Sequence, residues 1–342
     1  MRRALTFDDV ALVPKFNNID SRTEPELTTW LLKDVKVSCP IMPANMESVI
    51  SKKMVPTIME FGTMPIMHRF GSIEDRLDWC ERWGNDIMLS WGTNNIPELI
   101  KFLDSRVAIP NVCLDVAHGH SKAMEKAIKT IKDTLPDVKI LAGNICTNQA
   151  AHDLCLWGAD GIKVGIGPGA ACTTRAVTGF GVPQFTAIQD CAVTAGVFKV
   201  PVMADGGIRD SRDIVLALAA GASTVMVGKL FAATNESGAE KGMRGDVQKG
   251  IAIEELRAIY RGQASKAFQD DLRGGLKEGT VPEGEEMSIP VTGSARDLML
   301  ELMGGIRSGL TYGGARSIKE LQNKAEFMRV TSNYCMESSV RK

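Results

Sequence analysis

The sequence predicts an α/β protein of the (β/α)8 TIM-barrel class, and two observations predict it. Eight short apolar segments recur between residues 39 and 229, each apolar along most of its length, as strands buried on both faces are. Longer amphipathic stretches separate them. Strand alternating with helix calls for a parallel sheet, which eight units close into a barrel. An open doubly wound sheet is the competing arrangement, but no Gly-x-Gly-x-x-Gly follows the first segment.

The strand segments are 39–46 (CPIMPANM), 64–68 (MPIMH), 86–92 (DIMLSWG) and 111–119 (NVCLDVAHG). They continue with 138–144 (VKILAGN), 160–167 (DGIKVGIG), 200–207 (VPVMADGG) and 223–229 (STVMVGK). The clearest helix is 121–135, where Met124, Ile128, Ile131 and Leu135 recur at three- and four-residue steps while lysines fill the other face. Ser72 with Asp75 and Ser317 with Glu320 have capping-box spacing. GAD (158–160) and AAGA (219–222) place glycine where a helix ends before the next strand. Residues 1–37 read as an N-terminal arm. Residues 255–290, polar and glycine-rich with no sustained period, read as a working flap; a disordered surface excursion is the plainer alternative. The whole chain, 1–342, is expected to be one catalytic domain.

Composition narrows the function. With 44% hydrophobic and 24% charged residues the chain can bury a large core, and a net charge of -1 makes no global case for nucleic acid or an anionic membrane. No apolar run approaches the ~18–20 residues that span a bilayer. Arg2 and Arg3 are soon followed by Asp8 and Asp9, a poor signal peptide. Eight cysteines without a Cys-x-x-Cys pair suggest free thiols in a reducing compartment, so a cytoplasmic protein is expected.

Barrel chemistry sits at the C-terminal ends of the strands. This sequence places Asn45, Met46, His68, Arg69, Asp115, His118, Asn144, Asp205, Gly228 and Lys229 there. The loop GIGPGAACTTR (165–175) is the strongest signal. Its glycines let backbone groups converge on a ligand, and Cys172 follows beside Thr173, Thr174 and Arg175, a charge expected to favour thiolate. The turns ADGGIRD and MVGK suit phosphate held by backbone amides, with Lys229 as charge partner. Asp205 could bond a ribose diol or cap a helix. His118 and His120 lack a partner at ligand spacing, so zinc is not expected. Glu283 could enter the site from the flap as a general acid, but Glu278, Glu285 and Glu286 lie close by in sequence.

Together, LTFDDVALVP, the G-x-G-P-G-x-x-C-T-T-R loop, A-D-G-G-I, the P-E-G flap segment and GGIRSGLTYGGA resemble the family of inosine monophosphate dehydrogenases and guanosine monophosphate reductases. PANM, IMHRF, DVAHGHS and AGN are closer to the reductases. No paired cystathionine-synthase modules are inserted, the flap is short, and it lacks the Arg-Tyr pair with which dehydrogenases activate water; Arg273 is followed by Gly274. The resemblance implies NADPH-dependent reductive deamination of GMP to IMP and ammonia. The alternatives are the dehydrogenase direction with NAD and a catalytically silent nucleotide-binding barrel.

Roles follow from the resemblance alone. Cys172 would form a thioimidate at purine C2, with Thr174 and Glu283 relaying protons. Asp205, Gly206, Gly207, Gly228, Lys229, Gly262, Gln263 and Gly284 would hold the nucleotide under a flap running from Thr280 to Gly284. Arg69, Asp115, Ala117, Thr280 and Ser308, with Ser21 and Arg22 of a neighbouring subunit in a homotetramer, would hold the dinucleotide. Gly167, Gly169, Cys172 and Arg175 would form a potassium loop. Ala170 replaces the family's phosphate-binding serine, Gly262-Gln263-Ala264 replaces its Gly-Met-Ser or Gly-Met-Gly turn, and Arg69 replaces a lysine common in reductases. These departures leave a deoxy or modified purine open as substrate.

Overall fold

The computed structural model describes residues 2–104, 111–248, 251–276 and 278–338. The chain opens with β1 (Val10–Leu12) and a hairpin of β2 (Thr29–Leu32) and β3 (Val35–Val37), then enters the barrel at β4 (Ile41–Pro43) and α1 (Met54–Met59). Next come β5 (Ile66–Met67) with α2 (Ile73–Trp83), β6 (Met88–Trp91) with α3 (Ile96–Asp104), and β7 (Asn111–Asp115) with α4 (Lys122–Thr134). β8 (Ile140–Ile145) leads to α5 (Asn148–Trp157), and β9 (Gly161–Val164) to the short α6 (Thr174–Thr178) and then α7 (Gln184–Val197). β10 (Val202–Asp205) precedes α8 (Ser211–Ala219), and β11 (Thr224–Val227) the single turn α9 (Lys229–Ala232). The chain then leaves the barrel through β12 (Lys241–Gln248), β13 (Ile251–Arg261), α10 (Lys266–Arg273) and β14 (Glu286–Pro290). It returns with α11 (Ala295–Tyr312), α12 (Ile318–Lys324), β15 (Phe327–Arg329) and α13 (Asn333–Glu337).

The eight expected strands form one parallel sheet ordered β4-β11-β10-β9-β8-β7-β6-β5. This is a nearly closed (β/α)8 barrel, with the seam between β4 and β5. Ile41, Met42, Leu89, Leu114, Leu141, Ile162 and Val225 are fully buried along it, which explains their unbroken apolar runs. Each strand is shorter than its apolar segment, because residues such as Asn45, His68 and Ala117 already belong to the loops of the C-terminal face. At the other end the β2–β3 hairpin closes the barrel. Leu31 and Leu32 are buried there, and a Cβ on Gly161 would stand 2.8 Å from Leu32 Cδ2.

Most punctuation falls as expected. Ser72 and Asp75 form a reciprocal capping box at α2, and Gly158 ends α5 at φ +110°. At α12 only half a box forms: Ser317 accepts from Glu320 N, but Glu320 reaches back to Arg316 N. The flap needs correction. Far from lacking regular structure, residues 255–290 carry most of β13, all of α10 and β14, and the excursion starts at Lys241. β12, β13 and β14 make a three-stranded antiparallel sheet inserted between β11 and its barrel helix α11, in the eighth βα loop. The seven cysteines with described side chains are free, and no helix among the described residues is long and apolar enough to cross a membrane.

The amphipathic α4 supplies a stability test. Ile131 is fully buried, whereas Lys129 lies outside and pairs with Glu125. Ile131→Ala should cost about 2–5 kcal/mol in urea denaturation, and Lys129→Ala no more than about 0.5 kcal/mol.

A candidate active site at the mouth of the barrel

The floor of the site is electrostatic. Lys163, central in β9, is only 4% exposed, and its Nζ lies 2.8 Å from Asp115 Oδ1 and 2.7 Å from Asp205 Oδ2. Burial alone would lower the lysine's pKa, but the two carboxylates outweigh it and raise it. Burial likewise works against ionised Asp115, yet Lys163 and Arg69 hold its pKa below the usual carboxylate range. Asn144 Nδ2 donates to Asp205 Oδ2 at 2.8 Å and to Gly165 O at 2.7 Å, and Gln184 Nε2 donates to Val164 O at 2.8 Å and to Asp205 O at 3.1 Å. The ends of β7 to β10 are thereby joined into one polar layer.

The Cys172 loop rises from that layer. Gly165 has φ +154°, and a Cβ there would stand 1.9 Å from Asp205 O, so only glycine fits. Cys172 N closes a turn onto Gly169 O at 3.0 Å. The flap meets this loop backbone to backbone: Thr173 N donates to Glu283 O at 3.0 Å and Glu285 N to Ala171 O at 2.9 Å. Cys172 pairs with Gly284 in an antiparallel bridge. These contacts deliver one carboxylate. Cys172 Sγ donates to Thr174 Oγ1 at 3.2 Å, and Thr174 Oγ1 donates to Glu283 Oε2 at 2.8 Å. Glu278, Glu285 and Glu286 are exposed, so geometry separates Glu283 from its neighbours.

Arg175 is turned under the loop. Its Nη2 donates to Val182 O at 2.7 Å, and its stem lies where a Cβ on Gly167 or Gly181 would be, 2.5 and 2.8 Å from its Cγ. It shapes the loop; the thiol's recorded partner is Thr174. Gln263 Nε2 donates to Asn45 O at 2.8 Å, fixing the departure from the family turn against the β4 end.

Two adjoining cavities use these walls. One, about 320 Å³, contains Cys172, Thr174, Glu283, Arg69, Asp115, Ala117, Gly262 and Gln263. The other, about 500 Å³, contains Gly206, Gly207, Gly228, Lys229, Ala170 and Arg175. Asp205, Gly169 and Tyr260 line both. Gly206 and Gly207 have φ +89° and +83°, and a Cβ on Gly228 would lie 2.6 Å from the Tyr260 hydroxyl. Asp205 is no helix cap; Asp210 caps α8.

Other expected residues lie elsewhere. Within one chain Ser21, Arg22 and Ser308 do not reach the Cys172 cavity. Ser308 and Tyr312 line a separate cavity beside the N-terminal arm, and the Arg22 guanidinium is 5.8 Å from the Tyr312 ring. Thr280 is exposed. His120 pairs with Asp153 at 2.8 Å while His118 is exposed, and no cluster of His, Cys, Asp or Glu suited to a metal occurs among the described residues. Sequence reasoning passed over Lys163, Gln184 and Tyr260. A lysine inside an apolar strand was the available signal for the first.

Lys163→Met should destabilise the fold by about 3–5 kcal/mol, since it strands two carboxylates in the barrel mouth. The lowered pKa of Asp115 stabilises the wild type above the usual aspartate range and stops doing so as pH falls through the folded value. In the variant that carboxylate gains by protonation. Urea denaturation from pH 7 towards pH 4 should therefore show the gap narrowing; a constant gap would refute the electrostatic account.

The description "IMP dehydrogenase / GMP reductase domain" matches residues 4–82 and 94–341 of this chain. An inosine-5'-monophosphate dehydrogenase of Borreliella burgdorferi is 34% identical over 392 residues, covering 98% of this chain and 96% of that protein. GMP reductase 2 of Homo sapiens is 34% identical over 339 residues, covering 96% and 94%. An inosine-5'-monophosphate dehydrogenase of Aquifex aeolicus is 46% identical over 231 residues, covering 67% and 46%.

Proposed function

The chain belongs to the IMP dehydrogenase / GMP reductase family, oxidoreductases of purine nucleotides that use a nicotinamide cofactor, and within it we propose that this protein is a GMP reductase. The reaction is GMP with NADPH and two protons giving IMP, NADP⁺ and ammonium. The observation that carries this reading is the directed chain Cys172 Sγ–Thr174 Oγ1–Glu283 Oε2, delivered by a flap with Arg273-Gly274 in place of an Arg-Tyr pair.

The chain runs donor to acceptor from sulfur to carboxylate. Passing one proton along it leaves a thiolate on Cys172 and a protonated Glu283, so activating the nucleophile loads the acid. The thiolate adds to C2. The 2-amino group takes the proton back through Thr174 and leaves as ammonia, giving the thioimidate. A bound NADPH would supply the hydride that C2 takes up as the Cys172 sulfur leaves as thiolate. The cavity suits such a cofactor, because it extends from Cys172 to Arg69, Asp115 and exposed Ala117. Gly206, Gly207, Gly228 and Lys229 would receive the phosphate, and the hydroxyl missing at Ala170 weakens that contact by about 1–3 kcal/mol.

Potassium would rest on main-chain carbonyls of Gly167, Gly169 and Cys172, the oxygen donors a hard cation takes, with Arg175 shaping the loop. Ser21, Arg22 and Ser308 would complete the dinucleotide site of a neighbour in a homotetramer. The free thiols suit the cytoplasm.

GMP should drive loss of NADPH absorbance, and Cys172→Ala should abolish turnover while nucleotide binding survives. Steady formation of XMP from IMP and NAD at a rivalling rate would instead make the protein a dehydrogenase. Neither reaction at any rate would leave the silent barrel.

The relay has its own test in single-turnover ammonia release. Glu283→Gln should slow it by about 10²–10⁴-fold. Adding Thr174→Val should cost far less than the product of the single losses, because groups acting as a unit are non-additive. Multiplying losses, or an equal loss in Glu285→Gln, would break the assignment.

A further inference from the structure

A second polar cavity, about 350 Å³, opens beside the catalytic one and shares Arg69 with it. Its wall comes from the start of α2 and from the β6–α3 connection, and includes Ser72, Arg76, Trp91, Asn95 and Glu98. Arg76 sets its character. The residue is 4% exposed, its Nη1 donates to Ser90 O at 2.8 Å and its Nη2 to Arg69 O at 2.7 Å, and its guanidinium lies 4.0 Å from the centroid of the Trp91 ring. Carbonyl dipoles and a π face orient this charge but do not neutralise it.

Among the described residues no carboxylate comes within ion-pair distance of Arg76. Glu98 and Asp75 act on it only from farther away, and Asp75 is engaged by Ser72 and Lys52. Burial lowers the guanidinium pKa to about 10, so it remains cationic at neutral pH. A buried cation without a counter-charge is unfavourable, and the cavity it lines is polar and borders the reaction site at Arg69. An anion belongs there. The guanidinium fork matches phosphate oxygens.

Resting on the nicotinamide-dinucleotide reading above, we propose that this cavity is the subsite for a phosphate of that dinucleotide, with Arg76 as its buried specificity-determining cation. NADPH carries such a group in two places, the pyrophosphate and the 2'-phosphate. Glu98, exposed at the rim on α3, opposes the anion and limits the affinity.

The test measures binding by calorimetry on the full chain, without turnover. Wild type, Arg76→Gln and Glu98→Lys are titrated with NADPH, NADH, adenosine 2',5'-bisphosphate and ADP. Arg76→Gln should weaken NADPH by about tenfold, equivalent to ~1.4 kcal/mol. Glu98→Lys should tighten it about threefold at low salt, with the gain fading as salt rises. Changes confined to NADPH and the 2',5'-bisphosphate assign the 2'-phosphate; changes shared with NADH and ADP assign the pyrophosphate. Glu98→Lys alters an exposed position and carries the test even where Arg76→Gln fails to fold. No gain in that variant for any of the four ligands overturns the subsite. A protein that shows these shifts but does not consume NADPH with GMP retains the subsite and loses the reductase assignment.

Discussion

One ammonium group organises the mouth of this barrel. Lys163 lies in a low-dielectric interior that excludes an isolated cation, and it is tolerated because Asp115 and Asp205 flank it within hydrogen-bonding distance. Those carboxylates end β7 and β10, and Asn144 near the end of β8 ties Asp205 to Gly165 just past β9. The polar groups at the ends of four successive strands are thereby held at one level. Every loop above inherits a fixed starting point, including the one that carries Cys172.

The flap depends on that fixed start. It is not a free lid but an edge that adds to the Cys172 loop, through the backbone contacts of Thr173 with Glu283 and Ala171 with Glu285. Its base is held independently: Arg261 bonds Glu47 at 3.0 Å across to the β4–α1 connection and pairs with Asp271 on α10. A carboxylate carried on such a frame is positioned by main-chain geometry. That explains how a residue 111 positions from Cys172 can complete its hydrogen-bonded chain.

The eight strands were legible because two-sided burial leaves unbroken apolar runs, and the Cys172 loop because its glycines mark close backbone approaches, those of Gly165 to Asp205 O and of Gly167 to the Arg175 stem. The flap sheet was not. β12 holds two glycines and β13 mixes charged with apolar residues, as strands in a small, partly solvated sheet do, so neither period stands out. Choosing Glu283 among four nearby glutamates required three dimensions, since only backbone pairing says which side chain turns inward. The direction of Arg175 was hidden for the same kind of reason. Adjacency in sequence to a nucleophile does not fix direction, and the space beside Gly167 and Gly181 draws that side chain under the loop.

On the reductase reading, the direction of chemistry turns on what the flap leaves out. A thioimidate at C2 can be attacked by water or by hydride, and a protein that favours hydride need only fail to activate water. A polar pair aimed at the covalent carbon would supply that activation, and this flap has glycine after Arg273 instead. Glu283 is held toward Thr174 by its Oε2, which places its carboxyl on the side of the relay. On that reading, selectivity between two family chemistries turns on the absence of one side-chain pair, without any change to the nucleophile.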